Sequence, residues 1–166
     1  YFTLTDEAVI GYDTNTKMNP PLRSEADRQA IRTGLADGTL DAIATDHAPH
    51  SILEKEVEVD VAANGIIGLE TALPLSLALV RDRVIDEGRL IELMAVNPAA
   101  ILGLPAGNLS AGTAADITVI DPQQQFVYTT DQVVSKSHNT PFLGWSLQGR
   151  AMLTMVGGAV RFNLLF

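Results

Sequence analysis

Polar side chains that could do chemistry are concentrated in the stretch ATDHAPH, residues 44–50. It holds two of the three histidines in the chain and places the carboxylate of Asp46 beside them. A carboxylate can bind a metal or transfer protons, and the imidazoles of His47 and His50 can bind a metal or hydrogen-bond. A catalytic zinc usually takes three protein ligands, and Pro49 prevents a regular helix from aligning the histidines. Spacing alone therefore leaves a metal site, a proton shuttle and a polar turn all open.

Other polar residues have both a functional and a structural interpretation. The Asn19 amide could recognise a ligand by donating and accepting at once, although Asn before Pro is a common turn residue. Asn64 and Gly65 could offer a backbone amide to an anionic ligand, but Asn-Gly is also a turn signal. Lys55 lies among acidic residues, which predicts a solvated charged face, and His138 is expected at the surface or in packing.

Composition excludes several function classes. The 166 residues carry 20 acidic against 11 basic side chains, a formal charge of −9, and nucleic-acid binding would need a basic surface instead. Without cysteine the chain can form no disulfide or thiolate metal site, and we expect a cytoplasmic protein. The longest apolar stretch, residues 73–80, is far shorter than the roughly 20 residues of a membrane span. Because the chain opens at Tyr1 in mid-element, we expect a fragment of a longer protein.

The elements around ATDHAPH predict where its side chains lie. Ser24 with Asp27 three residues later is typical of a helix start, and Gly38 is typical of a helix end. Residues 40–45 form a short, mostly apolar run that predicts a buried parallel strand. Asp46 would then lie at the carboxyl end of a strand, where the ligands of α/β sheets and barrels gather.

Helical patterns continue into the middle of the chain. Two helices are predicted at about 69–82 and 87–96. Asn97 and Pro98 are expected to cap and start a short third helix that stops at Gly103.

The pattern then changes to turns between short β-type runs, which favours a domain boundary near residue 104. We predict an α/β segment at 1–104 and a small β-rich domain at 105–166. Gly157 and Gly158 predict a two-residue hairpin. The β-type runs lie at 117–120, 126–128 and 152–156.

Seven strings occur in a fixed order along almost the whole chain: KMNPPLR (17–23), DGTLDAIATDHAPH (37–50), EKEVEVD (54–60), GIIGLETALPL (65–75), NPAAILGL (97–104), ADITVIDP (115–122) and SKSHNTPFLGWSLQGR (135–150). Together they closely resemble the C-terminal part of the bacterial-type dihydroorotases, which belong to the amidohydrolase superfamily. The resemblance implies the end of a metal-dependent-hydrolase (β/α)8 TIM barrel followed by a small composite β-sandwich domain. It also implies zinc-dependent, reversible cyclisation of N-carbamoyl-L-aspartate to L-dihydroorotate in pyrimidine biosynthesis.

The resemblance also implies roles for particular residues. Asp46 matches the family residue that contacts the zinc centre and transfers the catalytic proton. Asn19 and His50 match residues that contact the substrate. Asn64 and Gly65 match a further substrate-lining pair, although many family members have Pro-Phe-Gly where this chain has Ala-Asn-Gly.

The remaining metal ligands of the family lie upstream of the matched segment, namely an HxH motif, a carboxylated Lys or an Asp, and two more histidines. We therefore expect the 166-residue chain alone to be inactive and its full-length parent to bind one or two zinc ions. Expected partners are the small-molecule substrate, a second copy in a homodimer, and aspartate carbamoyltransferase. Two alternatives stay open: a non-catalytic dihydroorotase-like subunit that partners aspartate carbamoyltransferase, and a related cyclic amidase acting on allantoin or hydantoin.

Overall fold

Regular structure changes from helices to strands along the chain, as the sequence predicts. The computed structural model describes residues 1–165. None of the helices in that range is long and apolar enough to cross a membrane. The α-helices are α1 Glu25–Asp37, α2 Ile52–Lys55, α3 Leu69–Arg81, α4 Glu87–Ile91 and α5 Asn97–Ile101. The strands are β1 Ile117–Val127, β2 Ser146–Val156 and β3 Ala159–Asn163, with single 3-10 turns at Asp6–Val9, Thr14–Thr16 and Thr130–Gln132.

Local signals set both ends of α1. The Ser24 hydroxyl accepts a hydrogen bond from the Asp27 amide, and the Asp27 carboxylate accepts one from the Ser24 amide. At the other end Gly38 adopts φ +87°, a left-handed conformation that glycine takes without steric cost. The predicted helix start and stop are both confirmed.

The third predicted helix is not separate from the second. A five-residue π-helical segment, Glu92–Val96, joins α4 directly to α5, and Asn97 has helical dihedral angles. Pro98 has no N–H to offer the preceding turn, and the wider π turn accommodates this loss. The prediction that Asn97 caps a new helix is therefore wrong.

The three strands form one antiparallel sheet in the order β1-β2-β3. Val156 pairs with Ala159 across the tight Gly157-Gly158 turn, which confirms the predicted hairpin. The pairing of β1 with β2 is interrupted by irregularities between Val119 and Ile120 and between Asp121 and Gln125.

The predicted buried strand at residues 40–45 is not formed. Residues 41–50 belong to no strand, and Leu40 is 38% exposed. A parallel strand needs a parallel neighbour, and the sheet within residues 1–165 is wholly antiparallel. The Ile43 amide instead donates to the Leu93 carbonyl of the π segment at 2.9 Å. ATDHAPH therefore lies on an irregular segment that is hydrogen-bonded to a helix.

Helix α3 packs against both the helical part of the chain and the sheet. Its residue Leu77 touches β2 so closely that a Cβ on Gly149 would lie 2.2 Å from the Leu77 Cδ1 atom. Arg81 also donates to the Gln148 carbonyl at 2.9 Å. The larger buried cluster consists of Leu35, Leu77, Leu79, Ile85, Leu90 and Leu93, and a smaller one of Tyr128, Phe142 and Leu147.

Candidate active site

Asp46 lies at the rim of a cavity of about 410 Å³. Asn19 and Gly65 line the same cavity, so the structure brings together three of the five residues selected from the sequence. Asp46 is exposed and has φ +43°, a left-handed conformation in which Asp and Asn are enriched. Burial, and then the negative charge of Asp46, raise the pKa of the Tyr1 phenol on the cavity wall. The Asp46 carboxylate is thus available to a ligand in this cavity.

His50 and Asn64 form a pair beside the cavity. The Nε2 atom of His50 lies 2.9 Å from the Asn64 carbonyl oxygen, and since a carbonyl only accepts, Nε2 carries the proton. The Nδ1 atom lies 3.7 Å from a Glu54 carboxylate oxygen. A Cβ built on Gly65 would be 4.0 Å from His50 Nε2, so the ring stands directly behind the cavity wall.

His47 has a different environment and acts on helix α3. Its Nδ1 atom accepts hydrogen bonds from the amides of Gly68 at 3.1 Å and Leu69 at 3.4 Å. Gly68 is the N-cap residue and has no side chain that could accept from the first turn, so the imidazole takes over that role. This bonding supports the structural interpretation of His47 over metal binding through Nδ1.

Gly65 is held in a conformation that only glycine adopts easily. Its φ is +102°, and a Cβ at this position would lie 2.7 Å from the Ala48 Cβ. Its amide donates to the Lys17 carbonyl at 2.9 Å, so in this structure the N–H expected to face an anion is used within the protein. Gly65 therefore brings its loop against the ATDHAPH loop.

Asn139 joins these two loops, although no spacing along the sequence connects it to them. It is 5% exposed, its Oδ1 accepts from the His50 amide at 3.1 Å, and its Nδ2 donates to the Ala48 carbonyl at 2.8 Å. The same Nδ2 donates to the Gly65 carbonyl at 3.2 Å. The Ser137 hydroxyl also donates to the His50 carbonyl. The only signal in the sequence was the presence of Asn139 within the string SKSHNTPFLGWSLQGR.

The predicted solvated face around Lys55 is wrong for the lysine itself. Lys55 is only 4% exposed, and its Nζ donates to the carbonyls of Ala63 at 2.9 Å and Gly65 at 3.2 Å. Its acidic neighbours Glu54 and Glu56 remain exposed, as does His138. The charged segment thus turns its one cation inward towards the Asn64-Gly65 loop.

The segment that leads to Asp46 is anchored by the helix that contains the π turn. In the π turn the backbone N–H of Asn97 donates to the Glu92 carbonyl, and Pro98 has no N–H. The Leu93 carbonyl is therefore free of a helical partner and accepts from the Ile43 amide. Two side chains add hydrogen bonds to the same segment. The side-chain Nδ2 of Asn97 donates to the Asp41 carbonyl, and the Arg89 guanidinium donates to the Leu40 carbonyl, each at 2.9 Å.

The described residues do not make a metal site by themselves. Within residues 1–165 no group of three or more His, Cys, Asp or Glu side chains could hold a metal ion. Asp46 could supply one carboxylate ligand, whereas a catalytic zinc takes three protein ligands. Any zinc bound at Asp46 would need its other ligands from outside these residues.

Comparison with known proteins identifies the family. The sequence profile of the amidohydrolase family matches residues 8–161. The chain belongs to the amidohydrolase family. This confirms the superfamily that the seven strings indicate.

Individual relatives of this amidohydrolase chain are similar over most of its length. It is 61% identical over 160 residues to a dihydroorotase from Geobacter sp. (strain M21), covering 96% of this chain and 38% of the relative. It is 61% identical over 158 residues to a dihydroorotase from Desulfotalea psychrophila, covering 95% of this chain and 38% of the relative. The amidohydrolase chain therefore spans 38% of the length of these curated relatives.

Solved structures are similar to this chain in fold. An L-hydantoinase (dihydropyrimidinase) from Arthrobacter aurescens superposes with a TM-score of 0.89 at 30% identity, covering 98% of this chain and 38% of that one. A D-hydantoinase superposes with a TM-score of 0.89 at 22% identity, which supports the fold alone. The α/β content predicted from the sequence agrees with the fold shared with these structures.

Proposed function

We propose that this chain is the C-terminal part of a zinc-dependent dihydroorotase, in which Asp46 transfers the catalytic proton. The observation that carries the proposal is that Asp46, Asn19 and Gly65 line one cavity in a chain about 60% identical to dihydroorotases. In the same proposal, residues 1–104 complete a (β/α)8 barrel and residues 105–166 form part of a small β domain.

In the proposed reaction, a bound metal and the residues of this chain have different roles. A bound zinc would activate water and polarise the amide carbonyl of the ring. Asp46 accepts a proton from the attacking water and returns it to the leaving amide nitrogen, which is general acid–base catalysis by one carboxylate. In the direction of ring closure the same carboxylate takes the proton from that nitrogen. We also propose that Asp46 contacts the metal.

The substrate carries carboxylate groups that suit the polar residues around the cavity. The Asn19 amide can donate to a carboxylate and accept from a ring N–H. The Nε2–H of His50, bonded to the Asn64 carbonyl in this structure, is a donor for which a substrate carboxylate can compete. Asn64 and Gly65 supply the adjoining wall.

Two alternative functions can be compared with this proposal. A non-catalytic subunit that only binds aspartate carbamoyltransferase would have no need of Asp46, Asn19 and His50 together, and all three are present. A cyclic amidase acting on hydantoin is favoured by the superposition on hydantoinases, but those structures are at most 30% identical. We further propose a cytoplasmic homodimer, with aspartate carbamoyltransferase as an additional candidate partner.

A comparison of substrates tests the proposed function. The full-length protein, loaded with zinc, is assayed on dihydroorotate, hydantoin and allantoin. We expect kcat/KM for dihydroorotate to be at least about a hundredfold higher, because a site built to hydrogen-bond a substrate group discriminates strongly against analogues that lack it. A preference for hydantoin or allantoin would assign the chain to the related cyclic amidases, and no turnover of any of the three would favour the non-catalytic subunit.

A further inference from the structure

The Gly65 carbonyl accepts hydrogen bonds from two buried side chains that approach from different parts of the chain. Lys55 Nζ and Asn139 Nδ2 each lie 3.2 Å from this oxygen. The same Lys55 ammonium also bonds the Ala63 carbonyl, and the same Asn139 amide also bonds Ala48. The peptide group before Asn64 and the peptide group after Gly65 are therefore fixed by side chains that do not line the cavity.

Lys55 is energetically expensive for a purely structural role. Among residues 1–165, no carboxylate oxygen lies within 4.0 Å of its ammonium, so the buried charge has only carbonyl partners. Burial lowers the pKa of Lys55, in keeping with a charge removed from water. A methionine would fill a similar volume without this desolvation cost. What the ammonium adds over methionine is directed hydrogen bonds to two carbonyls of one loop.

Asn139 holds the facing loop by the same means. Its Oδ1 bonds the His50 amide and its Nδ2 bonds the Ala48 carbonyl, while its own carbonyl accepts from the Ile67 amide at 3.1 Å. One 5%-exposed side chain thus sets the separation of the loops that carry His50 and Gly65.

We propose that Lys55 and Asn139 are positioning residues, which together hold the Gly65 carbonyl and so place the Asn64-Gly65 loop and His50 against the substrate. The proposal rests on the proposed function, because it assigns these two residues to the substrate side of the same site. Neither residue touches the cavity, so both act through the backbone they hold.

The test uses three variants of the full-length zinc-loaded protein. Lys55→Met removes the donors at similar volume, and Asn139→Asp keeps the acceptor for His50 but turns an oxygen towards two carbonyls. Lys136→Met is the matched control, since Lys136 is an exposed lysine. We expect the first two variants to raise KM for dihydroorotate about tenfold, the equivalent of one hydrogen bond to a charged or buried group, with kcat changed less than about threefold. Zinc content should match the control, whereas Tm should fall in Asn139→Asp, because a buried oxygen then faces two carbonyl oxygens.

A second readout is independent of activity. Amide hydrogen exchange in residues 62–68 should be faster in both variants and unchanged in Lys136→Met, because the peptide groups of that loop lose a fixed partner. If the unmodified protein does not turn over dihydroorotate, the proposed function fails while the exchange measurement still decides the positioning role.

Several outcomes would overturn the proposal. A KM equal to that of the Lys136→Met control in folded Asn139→Asp contradicts it, as does unchanged exchange in residues 62–68. A lower Tm with unchanged KM would show that the two residues are structural only. Should Lys55→Met not fold, Lys55→Arg restores a charged donor, and a tenfold higher KM in Asn139→Asp together with a near-normal KM in Lys55→Arg would support the proposal.

Discussion

Replacing Asp46 with asparagine in the full-length protein is expected to lower kcat for dihydroorotate by about 10²–10⁴-fold, the contribution typical of a general acid–base group. The amide has nearly the shape of the carboxylate but cannot take up the proton of the attacking water. Asparagine also tolerates the left-handed backbone that Asp46 adopts at φ +43°, so the loop should keep its conformation. Steady-state kinetics with zinc content measured on the same sample separate loss of the proton shuttle from loss of metal.

Asp41→Asn is the matched control for this change. Asp41 is an exposed aspartate five residues earlier in the same segment, and within residues 1–165 only its backbone carbonyl is hydrogen-bonded, to the Asn97 side chain. This variant should keep kcat within about twofold of the unmodified protein, as surface substitutions usually do. A near-normal kcat in Asp46→Asn would remove Asp46 from the proposed chemistry.

The second large effect is expected for Gly65→Ala, which should lower kcat/KM about a hundredfold. Alanine at φ +102° is strained, and its Cβ would start 2.7 Å from the Ala48 Cβ, so the two loops must separate. A displacement of about 1 Å in a positioning group can cost about 10²-fold in rate. Kinetics on dihydroorotate measure the loss.

Gly112→Ala controls for backbone strain alone. Gly112 has φ +88°, yet a Cβ there would meet no atom within 4 Å. We expect Gly112→Ala to lower the free energy of unfolding by about 1–2 kcal/mol, the cost of a left-handed L-residue, without changing kcat/KM. Equal kcat/KM in the two alanine variants would contradict the role given to the close approach of Gly65 to Ala48.

The parts of the fold that the sequence predicts correctly depend on neighbouring residues. The start of α1 at Ser24 is set by side chains within one turn and its end by the left-handed backbone of Gly38, so local pattern is sufficient. The failures depend on distant groups. Residues 40–45 have the composition of a buried strand, but an extended segment becomes a strand only when a partner strand lies alongside.

The candidate site shows the same division. Asp46 can be selected from the sequence because it lies in a seven-residue motif that contains two histidines. Recognising this motif requires no knowledge of residues elsewhere in the chain. The burial of Lys55 cannot be predicted from its acidic neighbours, because it depends on the fold of the Ala63–Gly65 loop over it. Asn139 lies 89 positions from His50, and no spacing rule connects residues so far apart. Asp46 can therefore be proposed from the sequence alone, whereas the residues that hold its loops cannot.

Turnover of dihydroorotate by the full-length protein and by the isolated 166-residue chain, each with added zinc, tests the central claim most directly. Asp46 could supply only one ligand, and a catalytic zinc needs about three from the protein. We therefore expect the full-length protein to hydrolyse dihydroorotate and the isolated chain to show no zinc-dependent rate above buffer. Robust turnover by the isolated chain, or none by the zinc-loaded full-length protein, would contradict the account.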